Sequence, residues 1–138
     1  MNFLAKSDPA LSELKGDDAT EQLLANRLSL SLFGFLVCMK SPDPNIKRFI
    51  TLEDETAIIG RSAHCSIPLE DRSISRQHAR IQLMTGADPY FLIFDLGSGN
   101  GTLVNGEAIT QQRLRDGDLI ILGETELVFK QISLKSAD

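Results

Sequence analysis

From Leu30 onward, apolar and polar positions alternate with a period of two, in short runs broken by turn residues. Phe33, Phe35, Val37 and Met39 alternate along a first strand, and Ser41-Pro42-Asp43-Pro44-Asn45 is a turn. Residues 48–52 and 56–59 read as two further strands around Glu53-Asp54-Glu55. Ala79, Ile81 and Leu83 alternate with Arg80 and Gln82, the pattern of a half-buried strand. Gly86-Ala87-Asp88-Pro89 turns the chain into residues 90–94, which are apolar on both faces. Asn105-Gly106 is a two-residue hairpin signal that requires positive φ at both positions. Asp116-Gly117 and Gly123-Glu124 introduce two more strands, over residues 119–122 and 125–130. No helical period of about ten residues or more survives after Arg27, so no crossover helix is available for a parallel sheet. The expected architecture is all-β, an antiparallel sandwich or barrel.

Residues 1–28 break this pattern. Asp8-Pro9 can start a short turn, and Asp18-Ala19-Thr20-Glu21 reads as a capping box ahead of Leu23, Leu24 and Leu28. Helices this short are marginal alone, so a mostly flexible N-terminal tail with a nascent helix near residues 19–27 is expected. The domain proper is expected over residues 29–132, with a short C-terminal tail over 133–138.

The chain has 138 residues, enough to bury a core without metal or disulfide staples. Its longest apolar stretch, residues 28–39, falls short of a bilayer span and is interrupted by Ser29, Ser31 and Gly34. No secretory signal opens the chain, and the two cysteines, Cys38 and Cys65, make no disulfide framework. A cytoplasmic location is expected. The net charge of −5 argues against nucleic acid or an anionic membrane as partner. Charge is unevenly spread, however. Residues 60–80 hold four arginines (Arg61, Arg72, Arg76, Arg80) against Glu70 and Asp71, and no lysine. Arginine grips a phosphate or carboxylate with two hydrogen bonds at once.

Three polar loops follow from the strand pattern: residues 60–66, 70–78 and 97–102. A dianionic phosphate needs donors converging from several directions. Arg61 and Arg76 offer charged forks, Ser75 a hydroxyl, and the third loop backbone amides and the Asn100 side chain. No single loop can surround such a ligand, so all three must meet at one end of the fold.

The ordered set Gly60-Arg61, Ser75-x-x-His78, Gly97-Ser98-x-Asn100-Gly101-Thr102, Asn105-Gly106, Leu114-x-x-Gly117-Asp118 and Gly123 resembles the forkhead-associated (FHA) domain over about three quarters of the chain. The resemblance implies a two-sheet β-sandwich of about eleven short strands that binds phosphothreonine peptides through loops at one end. It implies that Arg61 and Ser75 contact the phosphate, that Arg76 and Ser98 add contacts, and that Asn100 bonds the peptide backbone. Gly60, His78 and Gly101 match structural positions, His78 bracing the loops. Arg72 lies where the family reads a residue beyond the phosphothreonine. Gly99 departs from the family, which often carries a longer side chain there, and leaves a backbone amide in its place. The layout resembles small bacterial regulators acting downstream of serine/threonine kinases.

Competing chemistries fit less well. Ser75 and His78 lack the strand–elbow–helix setting of a nucleophile, so no enzyme is expected. The glycine run 97–101 precedes a strand and lacks the Lys-Ser/Thr ending of a nucleotide loop. His64, Cys65, His78 and Cys38 match no paired metal-ligand spacing, and no cofactor is expected. Cys38 reads as a small buried hydrophobe. Thr20, with Asp17 and Asp18 before it, is a candidate phosphosite that the protein's own loops, or those of a second copy, would bind at high effective concentration. The expected function is a phosphothreonine-binding regulatory or adaptor module, its partners a threonine-phosphorylated protein and a serine/threonine kinase. The alternative is a phosphate-independent structural adaptor that uses the sandwich surface.

Overall fold

The computed structural model describes residues 32–134. The expected helix near residues 19–27, the candidate phosphosite Thr20 and residues 135–138 lie outside the described residues. Eleven strands follow in order: β1 Leu32–Lys40, β2 Phe49–Leu52, β3 Thr56–Gly60, β4 Ile67–Pro68, β5 Ala79–Met84, β6 Tyr90–Asp95, β7 Thr102–Val104, β8 Glu107–Ala108, β9 Gln111–Leu114, β10 Leu119–Leu122 and β11 Thr125–Ser133. They form a six-stranded sheet, β2-β1-β11-β10-β7-β8, and a five-stranded sheet, β4-β3-β5-β6-β9. The short β3–β4 pairing is parallel, and the other strand pairs are antiparallel. Among the described residues no helix is long and apolar enough to cross a membrane.

The inner faces alternate as a half-buried sheet requires. Ala79, Ile81 and Leu83 of β5 point inward, as do Phe91 and Ile93 of β6 and Leu127 and Phe129 of β11. The rings of Phe91 and Phe129 meet edge to face across the sandwich at 5.3 Å. Residues 90–94 are apolar on both faces because the outward rings are covered differently. The Arg80 guanidinium lies 4.4 Å from the Phe94 ring and that of Arg113 lies 4.6 Å from Tyr90.

β1 shows which face of the alternating strand is buried, a question the sequence reading left open apart from Cys38. The alternation of Phe33, Phe35, Val37 and Met39 is present, yet the buried side is Leu32, Gly34, Leu36 and Cys38. The smaller set faces the core because Gly34 sits under the Phe91–Phe129 pair. A Cβ on Gly34 would lie 2.8 Å from the Phe91 ring. Gly34→Val is therefore expected to overpack this contact and cost about 2 kcal/mol of stability. Urea denaturation checks this, and an unchanged midpoint would contradict it.

The hairpin between β7 and β8 turns through Asn105 at φ 52° and Gly106 at φ 86°, as the Asn-Gly signal predicts. The Asn105 side chain also donates to Asp118 and accepts from the Leu119 N–H, which fixes the hairpin against β10.

Candidate functional site

Backbone hydrogen bonds bring the three polar loops to one end of the sandwich. The β3–β4 loop follows Gly60, which has no room for a side chain. A Cβ there would run into the Arg76 carbonyl and come within 2.9 Å of the Cys65 sulfur. The close approach lets the Arg61 and Ser62 amides donate to the carbonyls of Ser75 and Arg76, at 3.0 and 3.1 Å. The Arg61 side chain then turns across the β4–β5 loop, its Nε donating to the Ile74 carbonyl at 3.1 Å. Ile74 is the residue before Ser75, and no hydrogen bond among the described residues commits the terminal nitrogens of the guanidinium. Among the described residues no carboxylate pairs with Arg61, Arg72 or Arg76, and all three are exposed.

The third loop meets Ser75 directly. The Gly99 N–H donates to the Ser75 hydroxyl at 3.0 Å. With that lone pair taken, the hydroxyl proton is free to donate to an incoming anion. Gly99 thus contributes through its backbone, as its missing side chain requires. The Asn100 amide donates to the Ser73 carbonyl at 2.9 Å and ties the third loop to the second. The Ser98 hydroxyl donates inward to Asp95 at 2.5 Å. The structure therefore gathers Arg61, Ser75, Gly99 and Asn100, leaves Arg72 and Arg76 as unpaired rim charges, and turns Ser98 toward its own loop.

His78 is fully buried and joins the same loops. Its Nδ1 accepts the Ser75 N–H at 3.0 Å, so that nitrogen carries no proton. Nε2 must then carry it and donate to the Gly101 carbonyl at 2.8 Å. One neutral imidazole in one tautomer thus sets the spacing between the loops that hold Ser75 and Gly99.

Two carboxylates hold the loops from behind, and the sequence analysis did not single them out. Asp71 is buried and accepts from the backbone N–H and hydroxyl of Ser73 and from the Thr125 hydroxyl. Asp95 does the same for Gly97, Ser98 and Thr102. The signal was present in Asp71-x-Ser73 and Asp95-x-x-Ser98, whose spacing lets a carboxylate cap its own turn. The Ser73 hydroxyl in turn accepts the Glu124 N–H at 2.8 Å, anchoring the second loop to the β10–β11 hairpin.

Burial alone would raise the carboxyl pKa of Asp71 and Asp95. The hydrogen bonds from Ser73 and Thr125, and from Ser98 and Thr102, outweigh it and hold both below the ordinary 3.8. The folded state therefore binds fewer protons than the unfolded chain in this range. The stabilisation is full above the unfolded-state value and is lost as pH falls through the lower folded-state values. Melting temperature is expected to hold steady from neutral pH to about pH 5 and then drop. Asp95→Asn should melt lower at pH 7 and show a shallower acid limb. Parallel wild-type and variant profiles would contradict this assignment.

A sequence profile of the FHA domain matches residues 57–123. The oxoglutarate dehydrogenase inhibitor of Corynebacterium glutamicum is 32% identical over 119 residues, covering 86% of this chain and 80% of that protein. The glycogen accumulation regulator GarA of Mycolicibacterium smegmatis is 37% identical over 86 residues, 62% of this chain; the match spans about half, 52%, of its length. A solved chain described under phosphothreonine-dependent FHA domain interactions superposes with a TM-score of 0.60 at 33% identity, over 71% of this chain and 95% of that one. The sheet order, the loop constellation and these likenesses agree, and the chain belongs to the FHA-domain family.

Proposed function

We propose that this protein binds a threonine-phosphorylated protein or peptide as a non-catalytic regulatory module in serine/threonine-kinase signalling. The observation that carries the reading is that Arg61, its guanidinium unpaired by any described carboxylate, bonds the carbonyl of Ile74, the residue before Ser75, whose hydroxyl takes the Gly99 amide. That is a set of donors awaiting an anion. Arg61 and Ser75 take the phosphate oxygens, Asn100 turns to the peptide backbone, and Arg76, Ser98 and Arg72 lie around the rim. The likeness to a chain studied for phosphothreonine-dependent interactions supports the ligand, and likeness to a regulator and an inhibitor supports the role. The test is capture of a phosphothreonine peptide before and after phosphatase treatment. Capture is expected to vanish with the phosphate.

We also propose that Thr20, once phosphorylated, occupies this site in its own chain or in a second copy. Kinase-treated wild type is then expected to lose binding to an external phosphopeptide while Thr20→Ala retains it. Equal binding by both would remove self-occupation.

One observation favours the second reading, a phosphate-independent adaptor. The outer face of the six-stranded sheet exposes Phe33, Phe49 and Ile132, and among the described residues no arginine lies over them, unlike the outer aromatics of the other sheet. Partner capture that survives phosphatase treatment would select this reading.

A further inference from the structure

The outer face of the six-stranded sheet carries a continuous apolar surface that the phosphate-binding loops do not use. In register across β2, β1, β11 and β10, Phe49 stands beside Val37, Val37 beside Val128, and Val128 beside Leu119. A second row sets Phe33 beside Ile132, and Phe35 lies between the two rows on β1. Along β1, β10 and β11 these positions alternate with the buried ones, so they share the outer side of the sheet. Phe33, Phe49 and Ile132 keep 45%, 64% and 51% of their surface exposed, and Met39 at the end of β1 keeps 57%.

The area decides how unusual this face is. Those most exposed side chains together offer about 400 Å², and their half-buried neighbours bring the apolar patch to about 600 Å². The largest apolar patch on a monomeric soluble protein is about 300 to 600 Å². A standard interface covers about 800 Å² on each partner. The patch with its polar rim reaches that size.

Charge decides the partner. The chain carries −5 overall, so two copies repel unless they meet over a neutral surface. Among the described residues, the charges on this face are balanced in place. The Lys130 Nζ pairs with Asp116 at 2.9 Å, and Glu126 stands across from Lys40 in the β1–β11 register. The outer face of the five-stranded sheet differs, because Arg80 and Arg113 lie over Phe94 and Tyr90. Two copies meeting there would set arginine against arginine. An apolar face without net charge complements itself, as both sides of a two-fold interface must. A strongly acidic or basic partner finds no charge on it to read.

Pairing through this face also leaves the loop end open. β11 begins beside Glu124, whose N–H bonds the Ser73 hydroxyl in the second loop, and runs from there to Ile132. Phe33 and Ile132 therefore stand at the end of the sheet away from that loop.

We propose that the protein forms a two-fold dimer by packing this outer face against the same face of a second copy. The dimer stands apart from the phosphopeptide reading and holds whether or not the loops take a phosphate.

The test is sedimentation equilibrium of the unphosphorylated full chain from micromolar to millimolar concentration, so that capture of a phosphorylated Thr20 plays no part. The mass is expected to rise from 15.2 kDa toward twice that value. Phe33→Glu and Phe49→Glu each set an uncompensated charge into the patch of both copies, and each is expected to weaken association by about tenfold or more. Both side chains are exposed, so urea midpoints in dilute solution are expected to match wild type. Gln82→Glu, on the outer face of the other sheet, is expected to associate as wild type does. A wild-type chain that stays at 15.2 kDa throughout overturns the proposal. Association undiminished in both phenylalanine variants overturns it as well.

Discussion

Arg61→Ala is expected to weaken binding of a phosphothreonine peptide by about thirtyfold or more. Removing one member of a desolvated charge pair costs about 2 to 5 kcal/mol, and each 1.4 kcal/mol is a factor of about ten in affinity. The loss should be large because Arg61 is already aimed before ligand arrives. Its Nε bond to the Ile74 carbonyl orders the side chain in the free protein, so little entropy remains to be lost on binding. Folding should be untouched, since the head of the side chain is exposed and unpaired. Ser75→Ala should lose about tenfold, the worth of one hydrogen bond to a charged acceptor. Isothermal titration with phosphorylated peptide checks both. A dissociation constant unchanged in Arg61→Ala would remove that residue from the site.

His78→Ala is expected to produce the largest loss of stability among single substitutions at the loop end, about 3 kcal/mol. The imidazole is fully buried, and its removal orphans two part-buried backbone groups, the Ser75 N–H and the Gly101 carbonyl. Each unsatisfied group costs about 1 to 3 kcal/mol, and the vacated volume adds to that. Because these bonds set the spacing of the second and third loops, phosphopeptide affinity should fall as well. Chemical denaturation measures the first effect. A variant as stable as wild type would show that the loops are held by the Asp71 and Asp95 networks alone.

Much of this was legible in the sequence, for identifiable reasons. β5 declares itself because one face meets the core and the other meets solvent, so Ala79, Ile81 and Leu83 alternate cleanly with polar residues. The β7–β8 hairpin declares itself because few residue pairs other than Asn-Gly adopt positive φ twice in succession. β1 leaves its buried face unmarked because its outer face is more apolar than its inner one. Which face is buried is decided by the space beneath two aromatic rings from β6 and β11, which no local pattern records. β9 is silent because Gln111, Gln112 and Arg113 form an exposed edge with no apolar alternation. At the site, Arg61, Ser75 and Asn100 are legible by their chemistry and order. Asp71 reads as an ordinary surface acid until its long-range partner Thr125 gives it a reason to be buried, and Asp95 until Ser98 and Thr102 close on it. The role of Gly99 was legible only as the absence of a side chain. The bond from its amide to Ser75 is a product of the fold.

The most direct test follows individual amides by two-dimensional nitrogen–proton NMR during titration with a phosphothreonine peptide and with its unphosphorylated twin. With the phosphorylated peptide, the largest shifts are expected at Arg61, Ser75, Gly99 and Asn100, and the unphosphorylated peptide should leave these amides unmoved. Equal shifts with both peptides, or shifts confined to the outer face of the six-stranded sheet, would contradict the claim that these loops recognise the phosphate.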